Sequence, residues 1–324
     1  MQRYRIAQTE LDVSRIAYGC MGIGGSWNET PFTEAETAQA TKLVTTAYEQ
    51  GINFFDHADI YGRGKAEAVF GVVLEQVPGL RERIIIQSKC GIRFRNDPEP
   101  GIPGRYDFSY EHILWSVEGS LRRLKTDYLD ILLLHRPDAL VEPEEVARAF
   151  DELQRSGKVR YFGVSNHTAG QLALLKRYVE QPLVVNQLEL SLLHHHLINE
   201  GPIANQEGGQ YTAAAGTLDY CRLHDILVQA WSPVAKGHLF NPPEGAEARV
   251  RETADLVARM AEEKGTTREA IALAWLLRHP AGIQPIIGTT NVDRLVASCA
   301  VDSVTLSREE WYALFVAGRG GPLP

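Results

Sequence analysis

Short apolar runs alternate with longer amphipathic segments along the whole chain. Eight runs have the length and the β-branched or aromatic content of strands, and they cover residues 16–20, 53–58, 83–89, 129–136, 159–166, 183–189, 226–232 and 283–289. The segments between them repeat apolar residues at helical spacing, and they cover 33–50, 65–77, 109–124, 142–156, 168–180, 211–224, 249–264, 267–278 and 291–299. In the third segment, Ile113, Val117 and Leu121 recur on one face behind the capping residue Ser109. The alternation predicts a parallel sheet whose faces are covered by helices.

The number of strand and helix units selects an architecture within the α/β class. Eight units in about 300 residues fit a (β/α)8 TIM barrel. The opening "RYRIAQTELDVSRI" alternates around a polar turn, which predicts an N-terminal β-hairpin. A doubly wound sheet is the alternative, but no second domain and no strand–turn–helix with G-x-G-x-x-G supports it. We therefore expect one barrel domain over residues 1–324, with long loops on its catalytic face.

Composition and charge narrow the class of partners. The chain is 44% hydrophobic and 23% charged, as in ordinary globular proteins, and its formal net charge is −8. That charge argues against a nucleic-acid binder, which needs a basic face. The four cysteines are scattered without a C-x-x-C pair, and no run has the length of a signal peptide core or a membrane span. The sequence therefore predicts a cytoplasmic protein with no nucleic-acid or membrane partner.

Polar residues end several of the predicted strands. Asp56 lies near the end of the second run, Lys89 ends the third and His135 lies near the end of the fourth. Tyr61 follows Asp56 by five positions. In such a barrel the carboxyl ends of the strands form the active site. An ammonium lowers the pKa of a neighbouring phenol, and a carboxylate keeps that ammonium charged and oriented. With an imidazole to stabilise a developing oxyanion, the four groups suit proton donation to a carbonyl oxygen as hydride reaches its carbon.

The motifs that carry these residues resemble the aldo-keto reductase family from end to end. They are "GCMGIGG", "NFFDHADIYG", "QSK", "LDILLLHRPD", "GKVRYFGVSNH", "VVNQLELS", "QAWSPV" and "PIIGTTNVDRL". The resemblance is strongest to its bacterial YdhF-type oxidoreductases. It implies NADPH-dependent reduction of an aldehyde or ketone to the alcohol. It also implies a catalytic tetrad of Asp56, Tyr61, Lys89 and His135, with Tyr61 as the general acid.

The same resemblance implies where the cofactor is held. Ser165, Asn166 and Gln187 would meet the nicotinamide carboxamide, and Trp231 would stack on its ring. The other implied contacts, to the pyrophosphate and the adenosine phosphate, are Ser232, Gly237, Gly288, Thr289, Thr290 and Arg294. Thr289, Thr290 and Arg294 argue for NADPH. Gly288 and Ala297 stand where many eukaryotic members have lysine and glutamate, so use of NADH stays open.

Several further features bear on the substrate and on competing functions. Trp27 and His167, with the segment after Lys89 and the long polar loop expected over residues 194–217, are predicted to shape a pocket for a small-molecule carbonyl compound. The three consecutive histidines 194–196 suggest zinc, but adjacent side chains diverge on a regular backbone, so we expect no metal. The competing hypotheses are a cofactor-sensing regulatory subunit of this fold with slow turnover, and a barrel metallohydrolase. The substrate, the reaction direction and the oligomeric state stay open.

Overall fold

The computed structural model describes residues 1–204, 206 and 214–324. Its strands are β1 (Arg3–Arg5), β2 (Asp12–Ser14), β3 (Ala17–Gly19), β4 (Phe54–Asp56), β5 (Ile85–Cys90), β6 (Ile92–Arg93), β7 (Arg105–Tyr106), β8 (Leu129–Leu134), β9 (Val159–Ser165), β10 (Leu183–Glu189), β11 (Leu227–Trp231) and β12 (Gln284–Ile287). Strands β3, β4, β5, β8, β9, β10, β11 and β12 pair in parallel, in chain order, and close into a barrel. The predicted (β/α)8 barrel is confirmed, and each of the eight predicted runs overlaps one barrel strand.

Helices connect the barrel strands and cover their outer faces. They are α1 (Glu34–Glu49), α2 (Lys65–Gln76), α3 (Tyr110–Leu124), α4 (Pro143–Arg155), α5 (Ala169–Lys176), α6 (His196–Ile203), α7 (Thr217–Leu223), α8 (Ala248–Glu263), α9 (Arg268–Leu277), α10 (Val292–Cys299) and α11 (Arg308–Arg319). Helix α3 shows how local sequence sets an element. The Ser109 side chain accepts a hydrogen bond from the His112 backbone N–H, and Ile113 and Val117 on the inner face are buried.

The N-terminal hairpin of β1 and β2 contributes to the core inside the barrel. Ile6, Leu11 and Val13 of this hairpin are buried in one cluster with residues from the barrel strands, including Phe54 and Ile131. The predicted hairpin is therefore present, and it adds apolar side chains to the interior that the barrel strands enclose. Burying each such side chain contributes about 1.5–3 kcal/mol relative to exposure.

The structure corrects the predictions in the two places where helices were missed. The expected polar loop at 194–217 contains helix α6, in which Ile198 is buried. Helix α11 was not predicted, although Ser307 and Glu310 form a capping box at its start and Phe315 is buried. Part of the predicted helix 211–224, namely residues 211–213, lies outside the described residues, and helix α7 covers Thr217–Leu223.

The loop after β5 also has more structure than expected. Strands β6 and β7 pair antiparallel within it, and the Arg93 side chain bonds to Asp97 and Asp107 at 2.8 Å each. Arg93 is therefore paired with two carboxylates. Its role in the described structure is to hold this loop together.

Candidate active site

The carboxyl ends of β4 and β5 place Lys89 at the centre of a buried cluster. Its ammonium donates to Asp56 Oδ2 at 2.8 Å, to the His57 carbonyl at 2.8 Å and to the Tyr61 hydroxyl at 3.0 Å. An ammonium has three N–H donors, so this arrangement engages all of them. The side chain of Lys89 is 0% exposed and that of Asp56 is 4% exposed. The structure therefore brings the predicted acid, amine and phenol together.

The charge state of Lys89 results from two opposing effects. Burial would lower the pKa of the amine, but the Asp56 carboxylate and the Tyr61 oxygen outweigh burial, and the pKa is raised above its usual value. Lys89 is therefore an ammonium at neutral pH.

The phenol of Tyr61 behaves differently from the sequence expectation. Burial raises its pKa, and although Lys89 acts to lower it as expected, the net pKa lies above the ordinary value. Tyr61 consequently retains its proton at neutral pH, and the neighbouring ammonium offsets part of the cost of losing it.

His135 follows β8 and approaches the same phenol. The rings of Tyr61 and His135 are 6.0 Å apart, centre to centre, in an edge-to-face arrangement. Burial, and then the positive charges of Lys89 and Arg136, hold the pKa of His135 well below its usual value. The imidazole is therefore neutral, with one N–H to donate. Within the described chain its Nδ1 is buried and has no hydrogen-bond partner.

Ser165, Asn166 and Trp231 form a polar rim beside this cluster. The Asn166 side-chain nitrogen donates to Ser165 Oγ at 2.8 Å and to the His135 carbonyl at 3.2 Å, and the Trp231 indole nitrogen donates to Asn166 Oδ1 at 3.1 Å. Asn166 has a left-handed backbone with φ of 62°, a conformation that asparagine tolerates better than most residues. The Trp231 ring is half-buried, and the Arg136 guanidinium lies 5.7 Å from its centre.

Gln187 lies deeper than the sequence prediction assumed. Its side-chain nitrogen donates to Asp56 Oδ1 at 2.9 Å and to Gln229 Oε1 at 3.1 Å. Gln87 makes the same two contacts, and neither Gln87 nor Gln229 was predicted as a site residue. The sequence spacing could have identified Gln87 as a site residue. Side chains two positions apart on a strand share a face, and Gln87 precedes Lys89 by two positions.

The loop after β11 and the start of α10 have features suited to anionic groups. Ser232, Ala235, Lys236 and Gly237 all have positive φ, with values of 52°, 49°, 56° and 89°. Such backbone is uncommon away from glycine and clusters at functional sites, where successive N–H groups form concavities that bind anions. At the start of α10, Asn291 caps the helix by accepting from the Arg294 backbone N–H at 3.0 Å, and the Arg294 side chain is exposed.

The other residues predicted to contact the cofactor in this region precede helix α10 in the chain. Gly288 and Thr290 are exposed and Thr289 is half-buried. The Thr289 carbonyl accepts from the Tyr18 hydroxyl at 2.9 Å. The backbone of this segment is thus tied to the barrel, which fixes where α10 begins.

The two residues predicted to line the substrate pocket have different environments. Trp27 is 47% exposed and its ring lies 6.4 Å from the Tyr61 ring, edge to face. Lys65 stabilises the loop that follows Trp27 by donating to Asn28 Oδ1 at 2.9 Å. His167 is only 4% exposed, and its Nδ1 lies 2.9 Å from the Ser165 carbonyl. The ring of His167 is therefore packed into the wall, whereas Trp27 offers free surface.

The three histidines at 194–196 lie at the start of α6. His194 and His196 have ring centres 4.7 Å apart, and His194 Nε2 lies 4.0 Å from Glu189 Oε2. Within residues 1–204, 206 and 214–324, no three His, Cys, Asp or Glu side chains are grouped closely enough to hold a metal ion. In the same residues, no helix is long and apolar enough to cross a bilayer.

The sequence profile of the aldo/keto reductase family matches residues 15–315. The chain is 36% identical to the 6-dehydroglucose reductase of Agrobacterium fabrum, with 99% of both chains covered, and 36% identical to oxidoreductase YdhF of Escherichia coli, with 100% of both covered. Among solved structures, the glycerol dehydrogenase AKR11B4 of Gluconobacter oxydans superposes with a TM-score of 0.82 at 23% identity, covering 99% of this chain and 97% of that one. This last likeness concerns the fold.

Proposed function

Since the chain belongs to the aldo/keto reductase family and is an oxidoreductase acting on carbonyl groups, we propose that it reduces an aldehyde or ketone to the alcohol with NADPH. The observation that carries the proposal is the contact between the buried Lys89 ammonium, the Tyr61 hydroxyl and the Asp56 carboxylate. A protonated phenol beside a fixed cation is suited to giving its proton to a carbonyl oxygen that gains negative charge.

Each residue of the cluster has a role that follows from its contacts. Tyr61 donates the proton, and Lys89 stabilises the phenolate that remains. Asp56 holds the ammonium in place and balances its charge. His135, neutral because it is buried, donates a hydrogen bond that orients the carbonyl. Trp27 offers an exposed aromatic surface next to Tyr61 against which the rest of the substrate can pack.

The residues around the cluster fit NADPH, which when bound supplies the hydride for the carbonyl carbon. Ser165 and Asn166 offer polar groups for the carboxamide of the nicotinamide, and the half-buried Trp231 ring offers a face for stacking. The left-handed backbone at Ser232 and around Gly237 suits the pyrophosphate. In contrast, Gln187 reaches the carboxamide only by giving up a hydrogen bond to Asp56 or Gln229.

The preference for NADPH over NADH rests on the start of α10. A helix N-terminus favours anionic groups, and Gly288, Thr289, Thr290 and the exposed Arg294 surround this one. Within the described chain Arg294 has no ion-pair partner, so its charge is free for the 2′-phosphate. We further propose a cytoplasmic location, in keeping with four free cysteines.

The test is NADPH consumption at 340 nm with 4-nitrobenzaldehyde and with a sugar-derived aldehyde. The second substrate is included because one relative is named a 6-dehydroglucose reductase. Removing the proton donor in Tyr61→Phe should lower kcat by about 100- to 10,000-fold. Tyr178→Phe is the matched control, because Tyr178 is 41% exposed at the surface.

Two outcomes would count against this function. Full activity in Tyr61→Phe would exclude Tyr61 as the proton donor. Tight NADPH binding by the wild type with very slow turnover of both aldehydes would instead favour the cofactor-sensing regulatory subunit.

A further inference from the structure

Four buried side chains form a closed ring of hydrogen bonds beneath the active site. Gln87 Nε2 donates to Asp56 Oδ1 at 2.6 Å and to Gln229 Oε1 at 2.8 Å. Gln187 Nε2 donates to the same two oxygens at 2.9 and 3.1 Å. Asp56 and Gln229 are therefore opposite corners of the ring, and Gln87 and Gln187 bridge them. We call Asp56, Gln87, Gln187 and Gln229 the glutamine ring.

The ring continues through the barrel to the N-terminal hairpin. Gln229 Nε2 donates to Gln284 Oε1 at 2.8 Å, and Gln284 Nε2 donates to the Ser14 backbone carbonyl at 2.8 Å. An ionised carboxylate and a backbone carbonyl can only accept, so both ends of this chain demand donors. Gln284 and Gln229 therefore both donate toward the hairpin. Gln87 and Gln187, which lie between Gln229 Oε1 and Asp56, must donate in both directions and so present N–H groups to Asp56.

Burying these polar side chains costs free energy that an apolar core would avoid, which indicates that the glutamine ring does more than fill the core. Gln87, Gln229 and Gln284 are 0% exposed, and Gln187 and Asp56 are nearly as buried. Within the described residues, the Gln87 side-chain oxygen Oε1 is buried without a partner, and a buried acceptor that lacks a hydrogen bond carries a free-energy cost. An apolar side chain at position 87 would avoid that cost. It would also leave Asp56 Oδ1 with one donor instead of two.

From this geometry we propose that Gln87 and Gln229 are positioning residues of the reaction, which fix the Asp56 carboxylate so that Oδ2 faces the Lys89 ammonium. The inference rests on the proposed function, because it assigns to the ring the orientation of the Asp56–Lys89–Tyr61 relay. Two donors on Oδ1 prevent the carboxylate from rotating. A carboxylate that rotates would hold the ammonium less well, and Lys89 would lose its proton at a lower pH.

The decisive variant is Gln87→Met, which keeps the length of the side chain and removes both donors. We expect kcat to fall about tenfold, equivalent to 1.4 kcal/mol, with KM for the aldehyde within about twofold. We also expect the alkaline limb of the kcat profile to move to lower pH by about half a unit or more.

The control is Ser88→Ala on the same strand. Ser88 is buried, and its hydroxyl donates to Glu67 at 2.6 Å, so this variant also loses a buried hydrogen bond from β5. Within the described residues the Ser88 hydroxyl makes no hydrogen bond to the glutamine ring, so this variant should keep the wild-type pH profile. If Gln87→Met does not fold, Gln229→Met, which removes the shared acceptor, takes its place with the same expectations.

The outcomes separate this inference from the proposed function. An inactive wild type would refute the reductase proposal and the positioning role with it. An active wild type, with Gln87→Met and Ser88→Ala sharing one pH profile and one kcat, would overturn the positioning role alone.

Discussion

Replacing Lys89 by methionine tests whether the buried cluster is held by charge. The change keeps the length of the side chain and removes an ammonium that contacts Asp56 Oδ2, the His57 carbonyl and the Tyr61 hydroxyl at 2.8, 2.8 and 3.0 Å. The side chains of Lys89 and Asp56 are 0% and 4% exposed, so water cannot replace the lost donor. The variant therefore leaves a carboxylate that is buried without its counter-ion.

The expected loss of stability follows from those contacts. Removing one partner of a buried ion pair costs about 3–5 kcal/mol. The three hydrogen bonds of Lys89 are charge-assisted, each worth about 1.5–3 kcal/mol, but desolvation of the ammonium offsets part of that gain. We expect Lys89→Met to lower the free energy of unfolding by about 3–5 kcal/mol at pH 7, measured by urea denaturation followed by circular dichroism.

A second variant separates charge from packing. The double change Asp56→Asn with Lys89→Met removes the orphaned carboxylate while an amide oxygen still accepts from Gln87 and Gln187. It should recover at least about 2 kcal/mol of the loss and yet remain inactive, because no ammonium faces Tyr61. The reasoning is refuted if Lys89→Met lies within 1 kcal/mol of the wild type, or if the double variant is less stable than Lys89→Met.

Burial raises the pKa of Asp59 to about 7, above the ordinary carboxyl value, so the stability linked to its proton is present at low pH and is lost as pH rises through 7. Asp59→Asn should therefore gain stability relative to the wild type between pH 5 and 8, measured by thermal melts. A difference in stability between the two proteins that stays constant over this pH range would contradict the prediction. A Cβ on Gly163 would lie 2.6 Å from the Val185 carbonyl oxygen. Gly163→Ala should therefore lower the free energy of unfolding by about 1–3 kcal/mol, measured by urea denaturation. An unchanged denaturation midpoint would show that the strands can move apart. Trp231→Leu removes the ring proposed to stack on the nicotinamide and should weaken NADPH binding about tenfold in a fluorescence titration, with an unchanged Kd arguing against stacking.

The barrel and the residues at its strand ends could be read from local patterns. Short apolar runs separated by helical periods predict parallel strands wherever they occur, because both periods follow from backbone geometry within a few residues. Once eight such units close, the ends of all the strands meet at one rim. For this reason the sequence predicts that Asp56, Lys89 and His135, which are distant along the chain, lie at the same rim.

Other features could not be read locally, because they depend on which segments pack together. The sequence around the three histidines at 194–196 has no apolar period that predicts a helix. In the structure this segment leads into helix α6, whose Ile198 is buried. The glutamine ring needs residues from β4, β5, β10 and β11, and no single motif contains them. The net pKa of Tyr61 depends on how much protein surrounds the phenol, whereas the charges near it in the sequence indicated only the direction of the Lys89 contribution. The sequence alone determined which groups reach the barrel rim, and the tertiary structure decided their burial, their partners and therefore their protonation.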